Sequence, residues 1–239
     1  MRFTSVVPLL LLFTACGDDG GGGGGGSADA ASAPAMIAIS GTATKRMLLD
    51  TTPAAGVTVN AYRNSDANTS VAMATSDANG MYTMTITTGG TAIDGYLKAT
   101  LAGFVDTYLY PPAPLTADFD SASLNMVDQN TIDVLSGTFC GSQQEATNAV
   151  VAVLVVDANN APIGGASVSS SPEAVKNCYN AGGGGVPDKT ATVTDTDGIA
   201  YLVNLPAGQV TVSASKSGLS FSSHEVNARA GVLTTTVIQ

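Results

Sequence analysis

The chain has 239 residues, of which 9 are Lys or Arg and 19 are Asp or Glu, so its formal net charge is −10. This acidity excludes a nucleic-acid partner, because binding phosphates requires a dense basic surface. With one histidine, three cysteines and no tryptophan, the composition leaves little material for a metal centre or a catalytic nucleophile. We therefore expect neither an enzyme nor a cofactor.

The N-terminus is typical of an exported protein. Arg2 precedes an apolar run over residues 6–13, which is too short to span a bilayer as a helix and matches the core of a signal peptide. Residues 13–16, Phe-Thr-Ala-Cys, then resemble the lipobox of bacterial lipoproteins. The resemblance implies that the signal peptide, residues 1–15, is removed and that Cys16 carries a diacylglyceryl or palmitate-type lipid anchor. The alternative is an ordinary secretory signal with a cysteine present by chance.

Residues 16–35 are predicted to be a disordered tether. They include seven consecutive glycines, 20–26, and cannot bury enough apolar surface to offset the entropy of ordering them. A Gly-rich coil of this length has an r.m.s. span of about 25 Å. A phosphate-binding glycine loop is not supported, because neither a preceding strand nor a following Gly-Lys-Ser/Thr is present.

The cellular location follows from the lipoprotein resemblance. An Asp directly after the lipidated cysteine favours retention in the inner membrane in that family, and here the residue is Gly17. We therefore expect a protein of the bacterial cell envelope that is held in the membrane by lipid, with the outer membrane favoured over the inner one.

Beyond the tether, the sequence alternates between apolar and polar residues in short runs separated by turns. Residues 55–62 and 81–86 alternate with the period of two that is typical of half-buried strands. Between them, Asp77-Ala78-Asn79-Gly80 has the composition of a turn. Residues 149–157 form a nearly continuous β-branched run, which suits a strand covered on both faces. The fold class is therefore predicted to be all-β.

The second half of the chain repeats the order of the first. Three turn glycines recur at separations that differ by only nine residues, pairing Gly56 with Gly165, Gly80 with Gly198 and Gly103 with Gly218.

The repeated motifs resemble the carboxypeptidase regulatory-like domain, a transthyretin-like β-sandwich. They lie at 162–168, 194–201 and 205–214 in the second unit and at 55–62 and 75–82 in the first. The resemblance implies two tandem Ig-like or transthyretin-like sandwiches, over residues 36–114 and 148–239. It implies a fold and no site, because the matching residues are turn and core positions.

The segment between the two units, residues 115–147, is predicted to be a linker with one short helix. Ser123 is the candidate N-cap and Gly137 the stop, with Leu124, Val127, Thr131 and Leu135 along one side. The alternative is an irregular linker.

Once Cys16 carries lipid, Cys140 and Cys178 are the remaining cysteines. Two thiols in an exported chain usually pair, so we predict a disulfide between them. A free pair or a bond between chains is the alternative, and a catalytic thiol is disfavoured because no histidine base lies nearby in the sequence.

For the other candidate sites, we favour a structural role over a catalytic or metal-binding one. His224 is predicted to be an exposed strand residue, and a single histidine excludes a zinc carboxypeptidase. The C-terminal residues 236–239, Thr-Val-Ile-Gln, exclude a hydroxyisourate hydrolase. The Asp-rich turns at 77–80 and 195–198 are read as hairpin turns, with a weak calcium ion as the alternative.

Two functions remain open at the level of sequence. The first is a non-catalytic surface module that binds a protein or an envelope partner through loops or sheet edges. The second is a carbohydrate-binding module, whose marker would be exposed Tyr96, Tyr108 and Tyr110 stacking on sugar rings.

Overall fold

The computed structural model describes residues 32–48, 50–183 and 185–239. The predicted signal peptide, Cys16 and most of the tether lie outside these residues. The described residues are all-β with one short α-helix, which confirms the predicted fold class. In this part of the chain, no helix is long and apolar enough to span a membrane.

The first sandwich precedes the helix. Its strands are β1 Met36–Met47, β2 Asp50–Pro53, β3 Thr58–Arg63, β4 Asp66–Thr75, β5 Met81–Thr87, β6 Gly95–Thr100, β7 Thr107–Tyr110 and β8 Leu124–Val127. Strict alternation in β5 buries Tyr82, Met84 and Ile86 against Ile37 and Ile39 of β1, as a half-buried strand requires.

The second sandwich follows the helix. Its strands are β9 Asn148–Val155, β10 Ser167–Ser171, β11 Lys176–Ala181, β12 Val186–Asp188, β13 Ile199–Pro206, β14 Gly208–Ser215, β15 His224–Ala228 and β16 Leu233–Ile238. Its core packs Val151 and Val153 of β9 and Leu202 of β13 against Val210 and Val212 of β14.

The internal repeat extends to individual hydrogen bonds. In the first sandwich the buried hydroxyl of Ser76 accepts from Val57 N and donates to Ala54 O. In the second, Thr194 does the same with Ala166 N and Ile163 O. The two members of each predicted glycine pair also have matching positive φ angles, 77° at Gly80 and 70° at Gly198 for example, which L-residues with a Cβ rarely adopt. The two sandwiches therefore have the same local construction.

The two sandwiches share one sheet. In the described residues, strands run in the order β12-β11-β13-β9-β16-β7-β6-β3-β4, which we call the long sheet. The joint is a parallel pairing of β16 with β7, from Leu233 opposite Thr107 to Thr236 opposite Tyr110. Because β16 also pairs with β9, the final strand is hydrogen-bonded to both sandwiches.

Each sandwich is completed by a smaller sheet. The first cap sheet contains β2, β1 and β5, with β8 parallel to β1, and the second cap sheet contains β10, β14 and β15. Leu109 of β7 packs in the first core, whereas its neighbours Tyr108 and Tyr110 pack with the second. Successive strand residues point to opposite faces of a sheet, so the two cap sheets lie on opposite faces of the long sheet. Each cap sheet covers the long sheet only over its own sandwich, and the rest of that face is left without a cap sheet.

The short helix confirms the prediction of a helix between the units but not its position. Helix α1 spans Gln129–Val134 and continues into a π-helical turn, Leu135–Phe139. Its N-cap is Asp128, whose carboxylate accepts from Thr131 N at 2.7 Å. The predicted cap at Ser123 is wrong because residues 124–127 form β8. Pairing with β1, distant in sequence, overrides the local helical spacing.

Candidate functional site

The predicted disulfide between Cys140 and Cys178 is present, with the two Cα atoms 5.5 Å apart. Cys140 follows the π-helical turn, and Cys178 lies in β11 of the long sheet. Both are buried, in contact with Val203 and the partly buried Tyr201 of β13. The bond therefore holds the segment after α1 against the outer face of the second sandwich.

The three tyrosines proposed as a sugar-stacking surface are buried instead. Tyr96, Tyr108 and Tyr110 surround the guanidinium of Arg229, which follows β15 in the second sandwich. The guanidinium carbon lies 4.2 Å from the ring centre of Tyr108 and 5.0 Å from that of Tyr96, and Nη1 donates to Tyr110 Oη at 2.9 Å.

This arrangement removes the sequence basis for the glycan alternative. Burial raises the pKa of the Tyr110 phenol, although its bond to Arg229 acts in the opposite direction, so the hydroxyl stays protonated. The cation–π and hydrogen-bonded contacts cover the part of this face around β6 and β7, next to the second cap sheet. The tyrosine cluster therefore joins the sandwiches and has no free ring face for a sugar.

His224 is on strand β15, as predicted, but it is partly buried rather than exposed. Its Nδ1 lies 2.6 Å from Thr236 Oγ1 of β16, and its ring packs edge-on to Tyr110. Burial lowers the pKa of this imidazole, while Asp94 and Glu225 raise it by smaller amounts. The Thr236 hydroxyl is itself buried and also donates to Tyr110 O at 3.4 Å, so the contacts of His224 are those of a packed residue.

The Asp-rich turns use their carboxylates to bind backbone N–H groups. Asp77 Oδ1 accepts from Asn79 N and Met81 N, each at 2.8 Å. In the second unit Asp195 Oδ2 accepts from Gly183 N at 2.8 Å, which lowers the pKa of the carboxyl. Among the described residues, no three His, Cys, Asp or Glu side chains are placed to hold a metal ion. Both turns therefore use carboxylates to hold backbone N–H groups, but neither is the predicted hairpin turn. Strands β4 and β5 lie in different sheets, and β12 pairs with β11 rather than with β13.

A groove of about 410 Å³ lies between the two sandwiches. Its floor is the outer face of the long sheet where β13, β9, β16 and β7 lie side by side. Cross-strand register places Tyr201, Ala152, Thr235 and Leu109 in one row across these four strands. Strand β16 pairs in parallel with both β9 and β7, and parallel sheets are usually covered on both faces. The side chains of the floor are accordingly apolar or neutral across these four strands.

The walls of the groove come from the first sandwich and the helix. Val127 of β8 and Ile132 of α1 pack on Val150 and Leu233 of the floor, and this contact closes one end. The disulfide bounds the groove near Tyr201. Arg46, at the end of β1, is the one charged side chain among the described residues that line the groove.

The groove was not predicted from the sequence, although one signal for it was present. The β-branched run at 149–157 indicated a strand covered on both faces. In the structure its inner residues Val151, Val153 and Val155 are fully buried, whereas Ala152 and Leu154 on the other face are partly covered and line the groove. The sequence could not show that this second cover comes from the other sandwich.

No family model matches the chain, and no curated protein is significantly similar to it. Solved structures give distant matches. The chain is similar to shaft pilin SpaA from Lactobacillus rhamnosus GG, with a TM-score of 0.26 and 12% identity over 85% of this chain and 97% of that one. It is also similar to the minor pilin GBS52 of Streptococcus agalactiae, with a TM-score of 0.26 and 11% identity over 84% and 94% of the two chains.

A further match is the Bacillus anthracis TIE protein, with a TM-score of 0.27 and 12% identity. That match covers 85% of this chain but spans only 34% of the TIE chain. TM-scores this low carry no argument about the function or the partners of the present chain.

Proposed function

We propose that the protein is a lipid-anchored, non-catalytic module of the bacterial cell envelope that presents a partner-binding surface away from the membrane. The proposed organisation is a signal peptide over residues 1–15, a lipidated Cys16 on a tether to residue 35, and sandwiches over 36–114 and 148–239. The segment between them, 115–147, contributes strand β8 to the first cap sheet. The outer membrane is the proposed location.

The observation that carries the proposal is the joint between the sandwiches. Parallel pairing of β16 with β7 and the burial of Arg229 among tyrosines join the two sandwiches along both backbone and side chains. The side chains that could do chemistry, such as His224, Asp77 and Asp195, are engaged in packing and turns. This construction suits a mechanical or binding role better than a catalytic one.

The free edge of the long sheet is the favoured partner surface. Strand β4 ends the sheet, is largely exposed, and contains neither Lys nor Pro, residues that commonly protect such edges. Its second half, from Ala72 to Thr75, pairs in regular register with β3. Its other side offers backbone N–H and C=O groups to an added strand, which is a common mode of peptide recognition.

The anchor is tested by growing cells that express the full chain with radiolabelled palmitate. We expect label in the natural chain and none in Cys16→Ser, with globomycin causing accumulation of the unprocessed form. An unlabelled natural chain would contradict the anchor.

The partner surface is tested by site-specific photocrosslinking in the native envelope. A benzoylphenylalanine at Met73 of β4, which is 66% exposed, is expected to give a defined adduct. The same group at Met81 of β5, which is 52% exposed, is the matched control and is expected to give none. Equal adducts at both positions would contradict the edge, and a turnover activity lost on one side-chain substitution would contradict a non-catalytic role.

A further inference from the structure

We propose that the groove between the sandwiches binds a small amphipathic carboxylate, with its apolar chain on the floor and its head group at Arg46. This ligand site goes beyond the proposed function, because it depends neither on the lipid anchor nor on the β4 edge. The inference rests on the shape, the polarity and the charge of the groove.

The shape and polarity suit the apolar part of such a molecule. The enclosed 410 Å³ lies within the range of small-ligand sites, which are mostly apolar with a few placed polar groups. Ala152 provides a shallow centre to the floor, between the larger Leu154 and Val150 on the same strand face. A polymethylene chain along this row would remove apolar surface of both partners from water.

The charge identifies the head group. In a chain of net charge −10, the described residues lining the groove include Arg46 but no Asp or Glu. The single salt bridge within the described residues joins Lys98 to Asp106, so Arg46 has no acidic partner there. A guanidinium without a carboxylate beside an apolar floor is suited to binding a carboxylate in bidentate fashion.

Tyr201 provides a second polar group, in the floor of the groove. It lies on β13, so the groove has a cation from the first sandwich and a phenol from the second. Burial keeps this phenol protonated by raising its pKa, although the charge of Arg46 acts in the opposite direction. The protonated hydroxyl, which interacts with Asn180, adds a polar group to an otherwise largely apolar floor.

The experiment is calorimetric titration of the purified full chain with three ten-carbon probes below their micelle concentrations, namely decanoate, decanol and decyltrimethylammonium. We expect decanoate to bind more tightly than decanol, and decyltrimethylammonium not to bind. Arg46→Gln should weaken decanoate binding by about tenfold or more, as expected for the loss of a charge-assisted hydrogen bond, and should leave decanol unchanged.

Two further variants keep the test independent of misfolding. Lys45→Gln removes the same charge from the adjacent position on the other face of β1, where Lys45 lies over Phe104, and should leave all three titrations unchanged. Ala152→Phe fills the centre of the floor and should abolish binding of decanoate and decanol while thermal unfolding stays cooperative.

Several results would overturn the proposal. These are the absence of decanoate binding to the natural chain, equal affinity for decanoate and decyltrimethylammonium, and an equal effect of Lys45→Gln and Arg46→Gln. A dimer in sedimentation that Ala152→Phe dissociates would instead assign the groove to a second copy of the chain. No membrane is present in these titrations. A failed titration would therefore contradict the ligand site, whereas failed palmitate labelling would contradict the lipid anchor.

Discussion

Replacing Gly198 with alanine should destabilise the protein far more than replacing Gly165, although both glycines have positive φ in the same turn region. At Gly165 (φ 77°) a Cβ would meet nothing closer than 3.7 Å, the end of the Lys216 side chain. At Gly198 (φ 70°) a Cβ would lie 2.5 Å from Val155 O and 3.1 Å from Ile163 N. Both contacts are backbone atoms of the turn that closes the second core.

The magnitude follows from these two contributions. An alanine in the left-handed region costs about 1–2 kcal/mol, and this cost applies to both positions. Forcing a methyl group against fixed backbone adds about 1–3 kcal/mol at Gly198 alone. We therefore expect a loss of about 1–2 kcal/mol in Gly165→Ala and about 2–5 kcal/mol in Gly198→Ala.

The internal repeat provides a second, independent pair. Gly80 (φ 77°) has a Cβ position 2.3 Å from Ala43 O, whereas Gly56 (φ 76°) has open space. In the first sandwich we therefore expect Gly80→Ala to lower the free energy of unfolding more than Gly56→Ala does. Urea unfolding followed by far-ultraviolet circular dichroism measures all four variants. Equal losses of unfolding free energy within each pair would refute the close approach of backbone oxygens to Gly198 and Gly80. They would also refute the structural equivalence of the two turns.

Three further predictions concern the joints and the histidine. Replacing both Cys140 and Cys178 with serine should lower the unfolding free energy by about 3–4 kcal/mol, as expected for a closed loop of this length. A urea midpoint of the variant equal to that of the oxidised natural chain would contradict this. Arg229→Met should cost about 1–3 kcal/mol, because Tyr110 Oη loses its donor and the rings of Tyr96 and Tyr108 lose their cation, and differential scanning calorimetry should then resolve two transitions in place of one. Burial places the pKa of His224 below its ordinary 6.5. Below about pH 6.5 the unfolded chain therefore binds more protons than the folded chain, so the free energy of unfolding decreases as the pH falls. The difference in urea midpoint between the natural chain and His224→Gln should narrow from pH 7.5 to pH 5, and a difference independent of pH would contradict the burial of the imidazole.

Local signals in the sequence predicted the construction of each sandwich. The turn at Asp77–Gly80 needs a carboxylate that binds backbone N–H groups and a residue that tolerates positive φ. Asp77 and Gly80, within four adjacent residues, meet these two requirements. In its repeat, Gly198 also has a positive φ, but the Asp195 carboxylate binds Gly183 N of a different loop. The disulfide was predicted from a count of thiols in an exported chain, a rule that needs no geometry.

Errors in the sequence analysis arose where distant residues decided the outcome. Leu124 and Val127 have helical spacing, but β1 provides backbone partners for them and makes them a strand. The preferred interpretation of residues 108–110, a strand end before a proline-stiffened loop, is confirmed by β7. The sugar-binding alternative stayed open because Arg229, far along the chain, could not be placed against these rings. His224 was expected to be exposed for the same reason.

The sequence by itself determined the all-β class, the twofold repeat, the turns and the cysteine pair, because each depends on residues near one another or on simple counts. Only the tertiary structure decided that β16 pairs with β7, that the cap sheets lie on opposite faces of one long sheet, and that a groove with Arg46 lies on the face left uncovered. A strand edge is the same row of N–H and C=O groups whatever its side chains. The choice between pairing partners therefore depends on how the two finished sandwiches pack together, which no local pattern encodes.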